Sequence, residues 1–97
     1  MVLVCVQHFL NDEGRRYFPA WLQETADILR SFEGFISLKQ LTHVEEPEGC
    51  YLGLEFTSLS LLRVWSKSEE HDALLAKLEP YRRQKQRSQV FEAGEPF

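Results

Sequence analysis

Residues 64–78, VWSKSEEHDALLAKL, hold a tryptophan and a histidine six positions apart, with a Ser-x-x-His step beginning at Ser68. An imidazole titrates near neutrality and can take or give a proton, and an indole can wall an aromatic ligand or donate its N–H. The same residues also read as an ordinary helix start. Ser66 or Ser68 can serve as N-cap, and Glu69 and Glu70 then fall in the first turn, where the helix dipole favours acids. Trp65 therefore either faces a ligand or packs in the core with its N–H bonded to backbone. His71 is either an acid/base group or a solvated first-turn residue. His8 ends a strand-like run on the face of Val2, Val4 and Val6, at a pocket rim or exposed at the strand end. Tyr17, Phe18 and Trp21 add aromatic surface nearby in sequence. His8, His43 and His71 show no HxxxH or HExxH spacing, so no metal site is expected. Cys5 and Cys50 lie in strand-like runs without CxxC spacing and read as reduced, buried thiols.

These groups must be positioned by a small number of elements. VLVCVQHF (residues 2–9) alternates with period two and forms the first strand. NDEG supplies turn and cap chemistry. Phe18, Trp21, Leu22, Thr25, Ile28, Leu29 and Phe32 then follow helical spacing, giving a helix to about Ser31. Pro19 conflicts with a start at Asp12, because it lacks the N–H that would bond the Arg15 carbonyl; the helix either kinks there or starts near Phe18. Gly34 stops it. FISLKQLTHV is a second strand, with Ile36, Leu38, Gln40 and Thr42 on one face and Phe35, Ser37, Lys39 and Leu41 on the other. EEPEG reads as a loop, and CYLGLEFTS as a third strand with Cys50, Leu52, Leu54 and Phe56 on one face. Residues 58–81 form a second helix in one or two pieces, limited by Pro80. QRSQVFEA, from Gln86, is a short fourth strand, and residues 93–97 are expected to be mobile.

The β-α-β-β-α-β order predicts an α+β, ferredoxin-like fold: an antiparallel four-stranded sheet, strands one and three central, with two helices on one face. The other face would carry Leu3, Phe9, Phe35, Leu41, Tyr51 and Phe91, too apolar to leave in water; a C2 pair of sheets would cover it. Glu55, on that face, would need a partner such as Lys39 or Arg87 if buried. With 97 residues, 43% of them hydrophobic, the chain reads as a single domain over 1–97. Its net charge of -4 offers no basic face for nucleic acid despite the YRRQKQR cluster. No apolar run reaches the roughly 20 residues that span a bilayer, and the opening segment lacks signal-peptide features. No membrane partner and a cytoplasmic location are the expectations.

The order of elements, the EGF-to-IS start of strand two (residues 33–37) and VWSKSEEH (residues 64–71) resemble the antibiotic-biosynthesis monooxygenase superfamily of dimeric α+β barrels. The resemblance spans nearly the whole chain, but its motifs recur with different chemistries, so it transfers fold better than activity. It implies a homodimer joined through the sheet face, with one pocket per subunit between helices and sheet. Trp65 matches the superfamily's helix-two tryptophan, and His71 the histidine of the Trp/Ser-x-x-His pattern. The expected catalytic residues are thus Trp65 and His71, and the expected substrate-binding residues His8, Phe18, Trp21 and Trp65. The implied reaction is cofactor-independent monooxygenation of a small aromatic or quinol-type substrate, with no cofactor and no metal. The haem-degrading members use a strand-one asparagine and a histidine about ten residues beyond the tryptophan. Here those places hold Gln7 or His8, and Leu75, so haem ligation by that route is unsupported. The competing expectation is a non-enzymatic dimeric protein of the same fold that binds a small ligand or serves an accessory role.

Overall fold

A computed structural model describes residues 1–97. The elements are β1 (Val2–Leu10), α1 (Asp12–Leu29), β2 (Phe35–His43), β3 (Glu46–Phe56), α2 (Leu59–Ser66), α3 (Glu69–Leu78), a single 3-10 turn (Glu79–Tyr81) and β4 (Arg82–Glu92). The strands order as β2-β3-β1-β4, every neighbouring pair antiparallel. This is the expected ferredoxin-like arrangement, with β1 and β3 central.

Period-two alternation builds the inner face. Val2, Val4, His8 and Leu10 of β1 and Cys50, Leu52, Leu54 and Phe56 of β3 are buried. The helices close over them with Phe18, Trp21, Leu22, Leu29, Leu62, Trp65, Leu74 and Leu78. Each such side chain contributes about 1.5–3 kcal/mol by leaving water. Across the helix layer, Lys77 of α3 binds Glu24 of α1, which also accepts from the Tyr17 hydroxyl at 3.0 Å.

Several boundaries differ from the sequence expectation. Helix α1 starts at Asp12, not near Phe18, because the Asn11 side chain caps it by accepting from the Gly14 N–H at 2.9 Å. Pro19 is tolerated inside it. The lost hydrogen bond and clash cost about 3 kcal/mol, offset by the buried stripe of Phe18, Trp21, Leu22, Thr25 and Leu29. Strand β3 begins at Glu46, so most of the expected EEPEG loop is strand. β1 pairs with β3 only as far as Cys50, which leaves Pro47 where one side of the strand needs no N–H donor. Strand β4 begins at Arg82 rather than Gln86. Its basic residues suit an edge strand, where charge blocks pairing with another chain. The second helical region is two helices, and Ser68 caps the latter.

A bulge in β2 corrects the expected faces. Phe35 pairs with Phe56 but Ser37 pairs with Glu55, leaving Ile36 as the extra residue. Phe35 therefore joins the helix side, its ring 6.2 Å from Phe56, while Ile36 is turned outward. The outer face keeps Leu3, Cys5, Gln7, Lys39, Leu41, Tyr51, Arg87 and Phe91. Leu41 and Phe91 are exposed there. Glu55 accepts from the Ser37 hydroxyl at 3.0 Å, rather than pairing with Lys39 or Arg87. Cys50 is buried as expected, but Cys5 is exposed on this face. No helix is long and apolar enough to cross a membrane.

Gly34 is the one residue with a positive φ, +87°. A Cβ there would lie 2.6 Å from Leu61 Cδ1 and 2.8 Å from Thr57 Oγ1. Gly34→Ala is expected to cost about 1–3 kcal/mol, from backbone strain plus crowding. Urea denaturation checks this; an unchanged midpoint would contradict the role given to this turn.

Candidate functional site

A small cavity lies between the helices and the inner face of the sheet. Its walls come from every layer: His8 of β1, Trp21 and Thr25 of α1, Trp65 of α2, and His71, Leu74 and Leu75 of α3. Leu38, Leu52 and Leu54 of β2 and β3 form its floor, with Gln86 and Ser88 of β4 at one side. Its volume is about 70 Å³. It adjoins a larger apolar recess of about 520 Å³ between α2 and β4, where Val4, Leu59, Leu62 and Val90 join Trp65 and His71. The recess exists because β4 is an edge strand that the helices leave partly uncovered; Val90, on the inner face opposite Val4, is exposed.

The local geometry of residues 64–71 aims both sequence candidates at this space. Ser68 Oγ donates to the Trp65 carbonyl at 2.7 Å and accepts from the His71 N–H at 3.1 Å, ending α2 and starting α3 around one hydroxyl. The Trp65 and His71 rings consequently meet edge to face, with centroids 5.2 Å apart. Trp65 is buried and packs in the same way on Phe32 at 4.9 Å. It is at once a core residue and a wall of the cavity, so the two readings open in the sequence hold together.

His8 is only 3% exposed. Its ring lies edge-on to Trp21 at 5.2 Å and tilted against Phe18 at 6.0 Å. Burial, reinforced by the nearby Arg82 and His71, lowers its pKa from 6.5 to about 4. His71 is also pushed down by burial, against the opposing pull of Asp72. The Asp72 carboxylate is 3.9 Å from His71 Nδ1, too far for a hydrogen bond, so it acts through charge alone. Both imidazoles are therefore neutral at pH 7. The Nδ1 atoms of His8 and His71 are both buried without a hydrogen-bond partner.

The other candidates divide. Trp21 lines the cavity with its ring, but its N–H is committed to the Leu74 carbonyl at 2.8 Å, fastening α1 to α3. Phe18 is fully buried, stacked on Trp21 at 5.9 Å, and stands behind the cavity wall rather than in it. Gln86 and Ser88 were not singled out from the sequence. The available signal was register: Ser88 pairs with Val6, on the inner face. Leu75, where a haem-ligating histidine would stand by the superfamily spacing, does line the cavity but presents only hydrocarbon. No three His, Cys, Asp or Glu side chains converge on a possible metal position.

The lowered pKa of His8 has a consequence for stability. Between pH 6.5 and about 4 the unfolded chain binds a proton at His8 and the folded chain does not, so stability must fall as pH drops through that window. The loss is on the order of 3 kcal/mol when complete, and His71 acts in the same direction. Thermal melts from pH 7 to pH 4 should show the decline, and His8→Gln should flatten it. A variant with the same slope would rule out His8 as its source.

The fold is an antiparallel ferredoxin-like sheet with its helices on one face. Solved structures share it. The fold matches a crystal structure of an antibiotic biosynthesis monooxygenase with a TM-score of 0.80 at 16% identity, over 98% of this chain and 100% of the other. It matches Rv0793 of Mycobacterium tuberculosis with a TM-score of 0.81 at 15% identity, over 98% and 96% of the two chains. It also matches a variant of SnoaB, a cofactor-independent oxygenase from Streptomyces nogalater, with a TM-score of 0.81 at 13% identity, over 98% and 94%. The chain thus has the fold of the antibiotic biosynthesis monooxygenase structures. No family model and no curated protein sequence matches it.

Proposed function

We propose that this protein is a cofactor-independent monooxygenase of a small phenolic or quinol-type aromatic, working as a homodimer joined through the open sheet face. The observation that carries the reading is the pair of neutral imidazoles, His8 and His71, on one apolar cavity beside Trp65. Such a cavity excludes water and offers a base, and it admits a ring once side chains move, which is what an electron-rich phenol needs to react with dioxygen. His71 takes the phenolic proton. The phenolate passes one electron to dioxygen, and the resulting radical and superoxide combine at a ring carbon bearing hydrogen. His71 returns its proton to the peroxide, then removes the hydrogen on that carbon as a proton. The O–O bond breaks, hydroxide leaves with that proton as water, and a carbonyl remains. One oxygen atom enters the product, the other becomes water, and the substrate supplies all four electrons that dioxygen takes up. Trp65, whose own ring meets His71 edge to face, walls the substrate. SnoaB, of the same fold, is a cofactor-independent oxygenase, which supports this reading.

Oxygen consumption with a panel of hydroquinones and 1-naphthols tests it. Saturable uptake is expected with at least one of them, and Trp65→Phe should lower kcat several-fold. Uptake that ignores this substitution would sink the assignment. The inner cavity, at about 70 Å³, favours a second reading, a ligand-binding protein without turnover, because a ring enters it only if side chains move. Saturable binding of the same phenols with no oxygen consumed would select that reading.

A further inference from the structure

The inner cavity, at about 70 Å³, is too small for an aromatic ring as it stands; an apolar cavity that takes benzene is on the order of 150 Å³. The recess of about 520 Å³ between α2 and β4 is of the size that holds a small ligand. The two spaces adjoin, since Val6, Leu54, Trp65, His71 and Ser88 line both. Resting on the monooxygenase reading, we propose that they divide the two reactants: the phenolic ring docks in the recess, and the inner cavity is a dioxygen pocket.

The walls of the cavity suit a small apolar gas. They are mostly hydrocarbon, with Leu38, Leu52, Leu74 and Leu75 among them. The Thr25 hydroxyl on the wall already donates to the Trp21 carbonyl at 2.8 Å, and the Trp21 N–H to the Leu74 carbonyl at 2.8 Å. Water stays in a cavity where it finds about two to four polar partners, whereas a dry apolar cavity takes up xenon. Dioxygen is apolar as xenon is, and small enough for the space. With the ring in the recess no side chain has to move, and its reacting edge meets dioxygen where the two spaces join. One electron then passes between reactants in contact, and the radical and superoxide combine there. His71 borders both spaces. That position lets one imidazole take the phenolic proton from the recess and return it to the peroxide at the cavity.

Dioxygen is paramagnetic and speeds the relaxation of nearby methyl protons, so methyl spectra of the wild type under oxygen pressure, against argon at the same pressure, locate it directly. The Leu52 methyls should relax several-fold faster under oxygen than those of Leu22 and Leu78, which are similarly buried but line neither space. Oxygen uptake with the naphthol and hydroquinone panel gives the second readout. Leu52→Phe and Leu75→Phe, which fill the cavity and not the recess, should lower kcat/KM for dioxygen several-fold at near-constant KM for the phenol. Val90→Phe, which fills the recess and not the cavity, should do the reverse. Leu52 methyls that relax no faster than those of Leu22, or cavity-filling variants that raise the phenol KM and leave the dioxygen dependence unchanged, would overturn the division. Faster relaxation at Leu52 in a wild type that consumes no oxygen with any of the panel would instead leave the gas pocket standing and remove the oxygenase reading.

Discussion

Phe18→Ala is expected to lower the unfolding free energy by about 3–5 kcal/mol, the usual cost of removing a buried aromatic ring and leaving a hole. For a domain with total stability of about 5–15 kcal/mol this is a large fraction, and the melting temperature should fall by on the order of 20 °C. The reason is position. Phe18 has no exposed surface, stacks on Trp21 and sits against His8, so its removal loosens α1 exactly where that helix must already accommodate Pro19. Phe18→Leu should cost much less and leave KM for any bound phenol nearly unchanged, because the ring stands behind the cavity wall. A Phe18→Ala protein melting within a few degrees of the wild type, or a Phe18→Leu protein with a strongly raised KM, would return this residue to the substrate-binding set.

His71→Ala should leave the fold intact and remove the base. The His71 side chain is 27% exposed and belongs to the first turn of α3, whose cap uses its backbone N–H rather than its ring. The expected effect is a fall in kcat of about a hundredfold or more, with KM changed little, since Trp65, Trp21 and the leucines still line the cavity. The wild-type rate should decline at acid pH, below the ordinary histidine pKa of 6.5, because the imidazole must be neutral to accept a proton and its pKa is lowered. The residual rate of His71→Ala should lose that acid limb. Equal kcat in the variant and the wild type would remove His71 from the chemistry.

Much of the architecture was legible in period alone. Strands β1 and β3 alternate strictly, and their inner faces were read correctly from Val2, Val4 and His8, and from Cys50 to Phe56. The breaks in that regularity were not legible. A bulge moves Phe35 to the helix side without leaving a mark in composition, and β4 hides its length because its early residues are polar on both faces. Pro19 left a kink and a late start near Phe18 both open, because local propensity does not carry the tertiary burial that keeps α1 continuous from Asp12. At the site, Trp65 and His71 stood out by type and spacing. The convergence of His71 with His8 did not, since it joins residues 63 positions apart through β1 and α3. Trp21 shows the limit of residue type as a guide: its aromatic ring reaches the cavity as expected, while its N–H holds two helices together.

The most direct test is turnover in ¹⁸O₂ with EDTA present, using the 1-naphthol that gives the fastest oxygen uptake. The predicted result is one labelled oxygen atom in the product carbonyl and one in water per molecule consumed, with no hydrogen peroxide, and with both signals forming about a hundredfold more slowly in His71→Ala. Oxygen uptake that yields only peroxide and unlabelled product, or labelled product formed at the wild-type rate in His71→Ala, would contradict a monooxygenase built on the His71 cavity.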